Sequence, residues 1–240
     1  MLRSFETALA FLTVFRVRMD PRPEMEEVGR SVWAFPIVGA LMGLILVVAR
    51  HVCNGHLPEV LQAVLVVGLW IVLTGALHLD GWTDCCDAIA ASVPSEERLR
   101  ILKDPRLGTF GATGLILLLA VKTATVANGE MSYMMLFLAP VVGRGSMVLA
   151  RGAKHIGIGM AAGFIRGLDD RSVTGAALLV LVPAVIAGWT GIVSVVAAYA
   201  VAVGFRRLAE SRLNAVNGDV IGSMCELSEA VVLVIAFVRW

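Results

Sequence analysis

Charge is scarce in this 240-residue chain: Asp, Glu, Lys and Arg make up 16% of it, against about 25% in an ordinary soluble domain. That shortage excludes a fully solvated surface. The apolar residues, 58% of the chain at a mean hydropathy of +0.83, come in long blocks. Together these predict an all-α fold, a polytopic integral membrane helical bundle in the lipid bilayer. An excess of one sign is also missing: with a net charge of +1 there is no footprint for nucleic acid. The first thirty residues hold five Arg and four Glu but no cleavable apolar core, so no signal peptide is expected. The four cysteines (Cys53, Cys85, Cys86 and Cys225) form no C-x-x-C, and adjacency disfavours a Cys85–Cys86 disulfide. All four read as small apolar packing residues.

Lys and Arg are absent where acids gather. The stretch His78-Leu79-Asp80-Gly81-Trp82-Thr83-Asp84-Cys85-Cys86-Asp87 follows an apolar run and holds three carboxylates in eight residues. On a helix, Asp80, Asp84 and Asp87 stand at i, i+4 and i+7, nearly one face at about 100° per residue. Like charges on one face repel, and no local cation offsets them. An all-oxygen ligand set suits Mg²⁺ or Mn²⁺, which bind carboxylates together with substrate phosphates. The rival reading, a solvated acidic helix end beside the membrane, gives no reason for that order.

Seven spans are expected, at about 32–50, 58–78, 107–127, 131–150, 174–188, 191–205 and 220–238, in one membrane-embedded domain, 1–240. Segment 4–19, interrupted by Arg16 and Arg18, reads as a helix lying in the interface. Gly39 and Gly43 form a G-x-x-x-G that permits close helix packing. A short amphipathic helix is expected from Ser95. The 174–205 run is too long for one span of about 20 residues, and Gly188-Trp189-Thr190-Gly191 is the obvious turn. Apart from Arg50, Lys122, Arg144 and Arg239, every basic residue falls in the N-terminal segment or in the connectors 79–106, 151–173 and 206–219. The positive-inside rule then places the N-terminus and every polar cluster in the cytoplasm and the C-terminus outside.

Four further features can do chemistry. Lys103-Asp104-Pro105-Arg106-x-Gly108-x-x-Gly111 sets two cations beside a helix start, a good phosphate site unless it is only a basic flank. Arg144 lies within the fourth span, where a charge is costly and faces a bundle interior or cavity. Lys122 is similar, with outward snorkelling as its alternative. Asn217-Gly218-Asp219 enters the last span, with Glu226 and Glu229 following at roughly helical spacing; the two glutamates need partners or metal, and Asp219 has a rival reading as a helix N-cap. His78 and His155 are possible acid–base groups. Acidic, basic and acidic clusters on one face equip a metal-dependent transferase acting on a phosphoanhydride at the cytoplasmic side.

The double motif His78-Leu79-Asp80-Gly81-x-x-Asp84-x-x-Asp87 and Lys103-Asp104-x-Arg106-x-Gly108-x-x-Gly111 resembles the cobalamin synthase family (adenosylcobinamide-GDP ribazoletransferase). So do Phe35-Pro36-Ile37-Val38-Gly39, Ala139-Pro140-Val141-Val142-Gly143-Arg144, Asn217-Gly218-Asp219-Val220-Ile221-Gly222 and Glu226-Leu227, so the resemblance runs through most of the chain. It implies an enzyme of the prokaryotic cytoplasmic (inner) membrane that joins α-ribazole or its 5′-phosphate to adenosylcobinamide-GDP, with Mg²⁺, releasing GMP. Under that resemblance Asp80, Asp84 and Asp87 hold the metal. Lys103, Arg106 and Arg144 bind the anion. Asp87 is the favoured base, His78 is a catalytic neighbour, and Asp104, Gly108, Asn217, Asp219 and Glu226 contact substrate. Gly-rich spans permit a homodimer without requiring one. Three positions depart from the family pattern: Ala88 for Gly, Pro105 for Ser, and Cys85-Cys86 for commoner small residues. Pro105 puts a hydroxyl contribution there in doubt.

The nearest mechanistic rivals are the CDP-alcohol phosphotransferases, but Thr83-Asp84 stands where their motif has Ala-Arg. A transporter using Lys122, Arg144, Glu226 and Glu229 as a pathway would spread its charges through the membrane depth.

Overall fold

The computed structural model describes residues 1–155 and 159–238, so Arg239, expected outside, lies beyond the described residues. Twelve α-helices occupy them, and among the described residues there is no strand. In chain order these are α1 (Leu2–Leu12), α2 (Met25–Arg30), α3 (Phe35–Cys53), α4 (Glu59–Thr74), α5 (Leu77–Ala90), α6 (Ser95–Ile101), α7 (Thr109–Ala127), α8 (Tyr133–Ser146), α9 (Met160–Gly167), α10 (Asp170–Ile186), α11 (Gly188–Leu213) and α12 (Gly218–Ile235).

A helix lies at each of the seven expected positions, yet among the described residues only four stretches are long and apolar enough to cross a membrane: Val32–Cys53, Thr109–Ala127, Tyr133–Ala150 and Gly188–Leu213. The bent pair α4–α5 raises the number to five if it counts as one span. The others fall short for physical reasons. Helix α10 has 17 residues, and α12 carries Asp219, Glu226 and Glu229 within 18. The turn expected at 188–191 sits slightly earlier, at Ala187 and Gly188, where Gly188 takes φ +71.

The N-terminal helix stops at Leu12 rather than continuing to 19. Thr13 is extended (φ −140), its hydroxyl donates to the Leu9 carbonyl, and the Val14 N–H reaches across to the Leu73 carbonyl at 2.9 Å. That contact lies beside the sharpest feature of the chain. The span expected at 58–78 breaks after Thr74, where Gly75 and Ala76 both adopt left-handed backbone (φ 60 and 58) and α5 leaves at 94° to α4. The acidic stretch therefore begins a new helix rather than ending a span.

Helix α8 is the centre, packed by α3, α12, α10 and α11. Its contact with α3 is at backbone distance. A Cβ on Gly39 would stand 2.4 Å from the Pro140 carbonyl oxygen, and one on Gly43 2.5 Å from that of Phe137. The G-x-x-x-G thus packs as read. Pro140, inside α8, removes one backbone donor where that close partner lies. On the far side, Arg50 donates to the carbonyls of Met131 (2.8 Å) and Asn128 (2.9 Å) and clamps the α7–α8 turn.

Candidate active site

Helix α5 carries Asp80 in its first turn, where a negative charge suits a helix N-terminus. It crosses the start of α12 at contact distance: a Cβ on Gly81 would stand 2.8 Å from the Asp219 Cα. The Ser223 hydroxyl bridges the crossing, 2.7 Å from the Asp219 carbonyl and 3.1 Å from that of Gly81. This arrangement brings Asp80, Asp84 and Asp219 into mutual electrostatic range, with Asp87 one turn further on. Asp80 is exposed, and Asp84 and Asp219 are half-buried. Among the described residues none of the three makes a salt bridge.

Asn217, not Asp219, caps α12: its side-chain oxygen accepts from the Val220 N–H (3.1 Å), while its amide donates to Asp219 Oδ2 (2.6 Å). That leaves Asp219 Oδ1 available to the cluster.

Asp87 has a different position. Its Oδ2 accepts from the Gly108 N–H and its Oδ1 from the Gly111 N–H, both at 2.8 Å. These are donors that a helix start leaves unpaired. A Cβ at Gly108 or Gly111 would fall 2.3 or 2.2 Å from a carboxylate oxygen. The helix start expected to receive a phosphate therefore receives Asp87, and the two sequence motifs meet as a clamp between α5 and α7. The preceding loop is ordered by a second carboxylate. Asp104 accepts from the Arg106 backbone N–H and from its guanidinium (2.9 and 2.6 Å), and this contact holds the Asp104 carboxyl down to about 2. Lys103 and Arg106 are exposed.

Arg144, Glu226 and Glu229 lie apart, in the bundle interior. Lys122 Nζ sits 2.5 Å from both Glu226 Oε2 and Glu229 Oε2, and Arg144 pairs with Glu229 Oε1. Lys122 also lies 4.4 Å above the Trp70 ring. Arg144 and Glu229 are fully buried. Lys122 thus turns inward rather than snorkelling outward, and the partners that the glutamates required are these two cations. Neither periodicity nor motif spacing pairs residues 85 and 107 positions apart; only the cost of burying a charge points to it.

His78 separates the two groups. It is 2% exposed, and neither ring nitrogen has a hydrogen-bond partner among the described residues. It faces a cavity of about 190 Å³ that Asp219 also lines.

Donor chemistry at the α5–α12 crossing fits a hard divalent cation: carboxylate oxygens only, with like charges unrelieved. Among the described residues no three such side chains close a metal site by themselves.

A family model described as cobalamin-5-phosphate synthase matches residues 4–237. The chain is 38% identical over 237 residues to the adenosylcobinamide-GDP ribazoletransferase of Pseudomonas putida (strain W619), covering 95% of this chain and 96% of that protein. It is 38% identical over 238 residues to the enzyme of the same name from Pseudomonas entomophila (strain L48), covering 96% of each. With the one from Pseudomonas aeruginosa (strain PAO1) it shares 35% over 240 residues and 97% of each chain. No solved structure matches. The chain belongs to the cobalamin-5-phosphate synthase family.

Proposed function

We propose that this chain is a membrane-embedded adenosylcobinamide-GDP ribazoletransferase, joining α-ribazole or its 5′-phosphate to adenosylcobinamide-GDP with release of GMP. Family membership over nearly the whole chain supports the reaction. The observation that carries the site is the set of Asp80, Asp84 and Asp219 gathered without a neutralising cation where α5 crosses α12.

In this reading those three carboxylates hold Mg²⁺, which supplies charge neutralisation at the diphosphate. The ribazole hydroxyl attacks the phosphorus on the cobinamide side. The new O–P bond forms as the bond to GMP breaks, and the hydroxyl proton passes to a carboxylate of the cluster. Asp87, with both oxygens held by N–H donors, positions α5 against α7 rather than taking that proton. Lys103 and Arg106, exposed on the loop leading into that clamp, meet the nucleotide phosphates. In this reading α4, α10 and α12, although short or charged, cross the bilayer together with the four long apolar stretches, and α1 lies along its surface. The N-terminus and the acidic cluster then face the cytoplasm of a prokaryotic cell, an orientation that the basic connectors favour.

The test is GMP release by the purified chain in lipid. Release that needs Mg²⁺, adenosylcobinamide-GDP and α-ribazole or its phosphate is expected. Release of CMP from a CDP-alcohol instead would move the chain to the rival transferase chemistry.

A further inference from the structure

Two neighbouring cavities extend away from the acidic cluster. The inner one, about 190 Å³, lies among α1, α2, α5, α9 and α12; His78 and Asp219 are its polar walls, and Met147, Met160 and Phe164 are among its apolar ones. It holds the volume of about six waters, which is room for a bicyclic aromatic ring and far too little for a corrinoid. Stacked rings back it: Phe35 lies 6.0 Å from both Phe11 and Phe164. The outer cavity, about 800 Å³, lies under the segment following α1 and is lined by Arg16, Arg18 and Arg22, with Asp20 beside them. Phe11 and Met25 line both cavities, so the two meet at those side chains.

Two observations point to a ligand. His78 is buried, with both nitrogens unpartnered and facing the inner chamber. Arg16, Arg18 and Arg22 are exposed and make no ion pair among the described residues, whereas Arg3, Arg30, Arg106 and Arg144 each hold a carboxylate. A largely apolar chamber with two polar walls, His78 and Asp219, opening toward three guanidinium groups that hold no carboxylate, is complementary to an aromatic base carrying a phosphate.

We propose that the two cavities form the acceptor subsite: the base of a nucleotide enters the inner chamber against His78 and Phe164, and the phosphate of the same molecule rests on Arg16, Arg18 and Arg22. Asp219 belongs both to the chamber and to the acidic cluster, so the bound base lies beside the reacting centre, and the ribose passes the junction at Phe11 and Met25 toward the arginines. The chain thereby selects the phosphorylated acceptor over the free nucleoside. This rests on the reading that the acceptor is α-ribazole or its phosphate.

The test is calorimetric titration of the full chain in detergent with α-ribazole 5′-phosphate and with α-ribazole, no donor substrate present. The wild type is expected to bind the phosphate form at least tenfold more tightly. Replacing Arg16, Arg18 and Arg22 together by Ala should remove that preference and leave nucleoside affinity unchanged. Ala161→Phe, which fills the inner chamber, should weaken both ligands at least tenfold. No phosphate preference in the wild type, or a preference that survives the triple substitution, overturns the proposal. If the arginines serve lipid headgroups, the triple variant loses only its affinity for phosphatidylglycerol vesicles and keeps the preference, which overturns it equally. Failure of GMP release alongside an intact, arginine-dependent preference would defeat the proposed reaction and leave the subsite standing.

Discussion

Helix α12 carries acids in two contrasting settings. At its start, half-buried Asp219 joins half-buried Asp84 and exposed Asp80, and among the described residues none of them makes a salt bridge. Two turns further, Glu226 and Glu229 are buried and each is matched by a cation, Lys122 or Arg144. Burial explains the difference. A charge inside the bundle is tolerated only when paired, so the interior group balances two acids with two cations, although Arg144 Nε and Nη2 have no hydrogen-bond partner among the described residues. The group at the α5–α12 crossing keeps partial access to water and remains unbalanced, which is the condition of a site that completes itself with metal and phosphate. The charges that look most unusual in a membrane helix, Arg144 and Glu229, are thus paired inside the fold, and the more ordinary aspartates at its edge are the ones proposed for the chemistry.

The sharpest way to break this comparison is to unbalance the interior. Arg144→Met leaves Glu229 short of a partner and should cost about 3–5 kcal/mol, read by thermal unfolding in detergent. Adding Glu229→Met should recover most of that loss. A double variant no better than the single one would mean that the pair is not the unit.

Asp84→Ala should do the reverse. Turnover should drop by about two orders of magnitude or more, while the melting temperature holds or rises because a mutually repelling charge is gone. Comparable unfolding of Asp84→Ala and Arg144→Met would erase the distinction between the two groups.

Asp87→Asn belongs between them. The amide offers one acceptor where two N–H groups need one each, so the helix cap weakens by about 1 kcal/mol, and hydrogen exchange should quicken in the first turn of α7. Abolished turnover with unchanged exchange would restore Asp87 as the base. The smallest effect is expected for Arg106→Ala, on the exposed loop. Asp104 should return toward the ordinary carboxylate range from about 2. A carboxyl held down in this way adds stability that is present at neutral pH and lost as pH falls through the acid range. Because the Asp104–Arg106 pair is exposed and screened, its loss at neutral pH should be small, and the main effect should appear in the KM for the donor substrate.

Much of this is legible in the sequence. Apolar blocks locate the helices, Gly39 and Gly43 announce a close helix contact though not its partner α8, and Asp80, Asp84 and Asp219 all stand out as candidate site residues. The bend at Gly75–Ala76 is not legible, because one glycine in an apolar run reads as a tolerated helix residue; only the left-handed pair reveals a corner. Nor is the fate of Asp87. Its i+7 spacing shares the face of Asp80, but the deciding partner lies at Gly108 and Gly111, brought back by a connector whose path no periodicity encodes. Arg16 and Arg18 read as interruptions of a helix; the early end at Leu12 turns them into a cavity wall.

The most direct test of the central claim is metal binding itself, followed by electron paramagnetic resonance with Mn²⁺ standing in for Mg²⁺, on the full chain with the donor substrate present. Wild type and Glu226→Gln should bind the ion, and Asp84→Ala and Asp219→Ala should lose it. Binding that survives both aspartate substitutions, or that disappears only with Glu226→Gln, would place the ion in the buried layer and contradict the account.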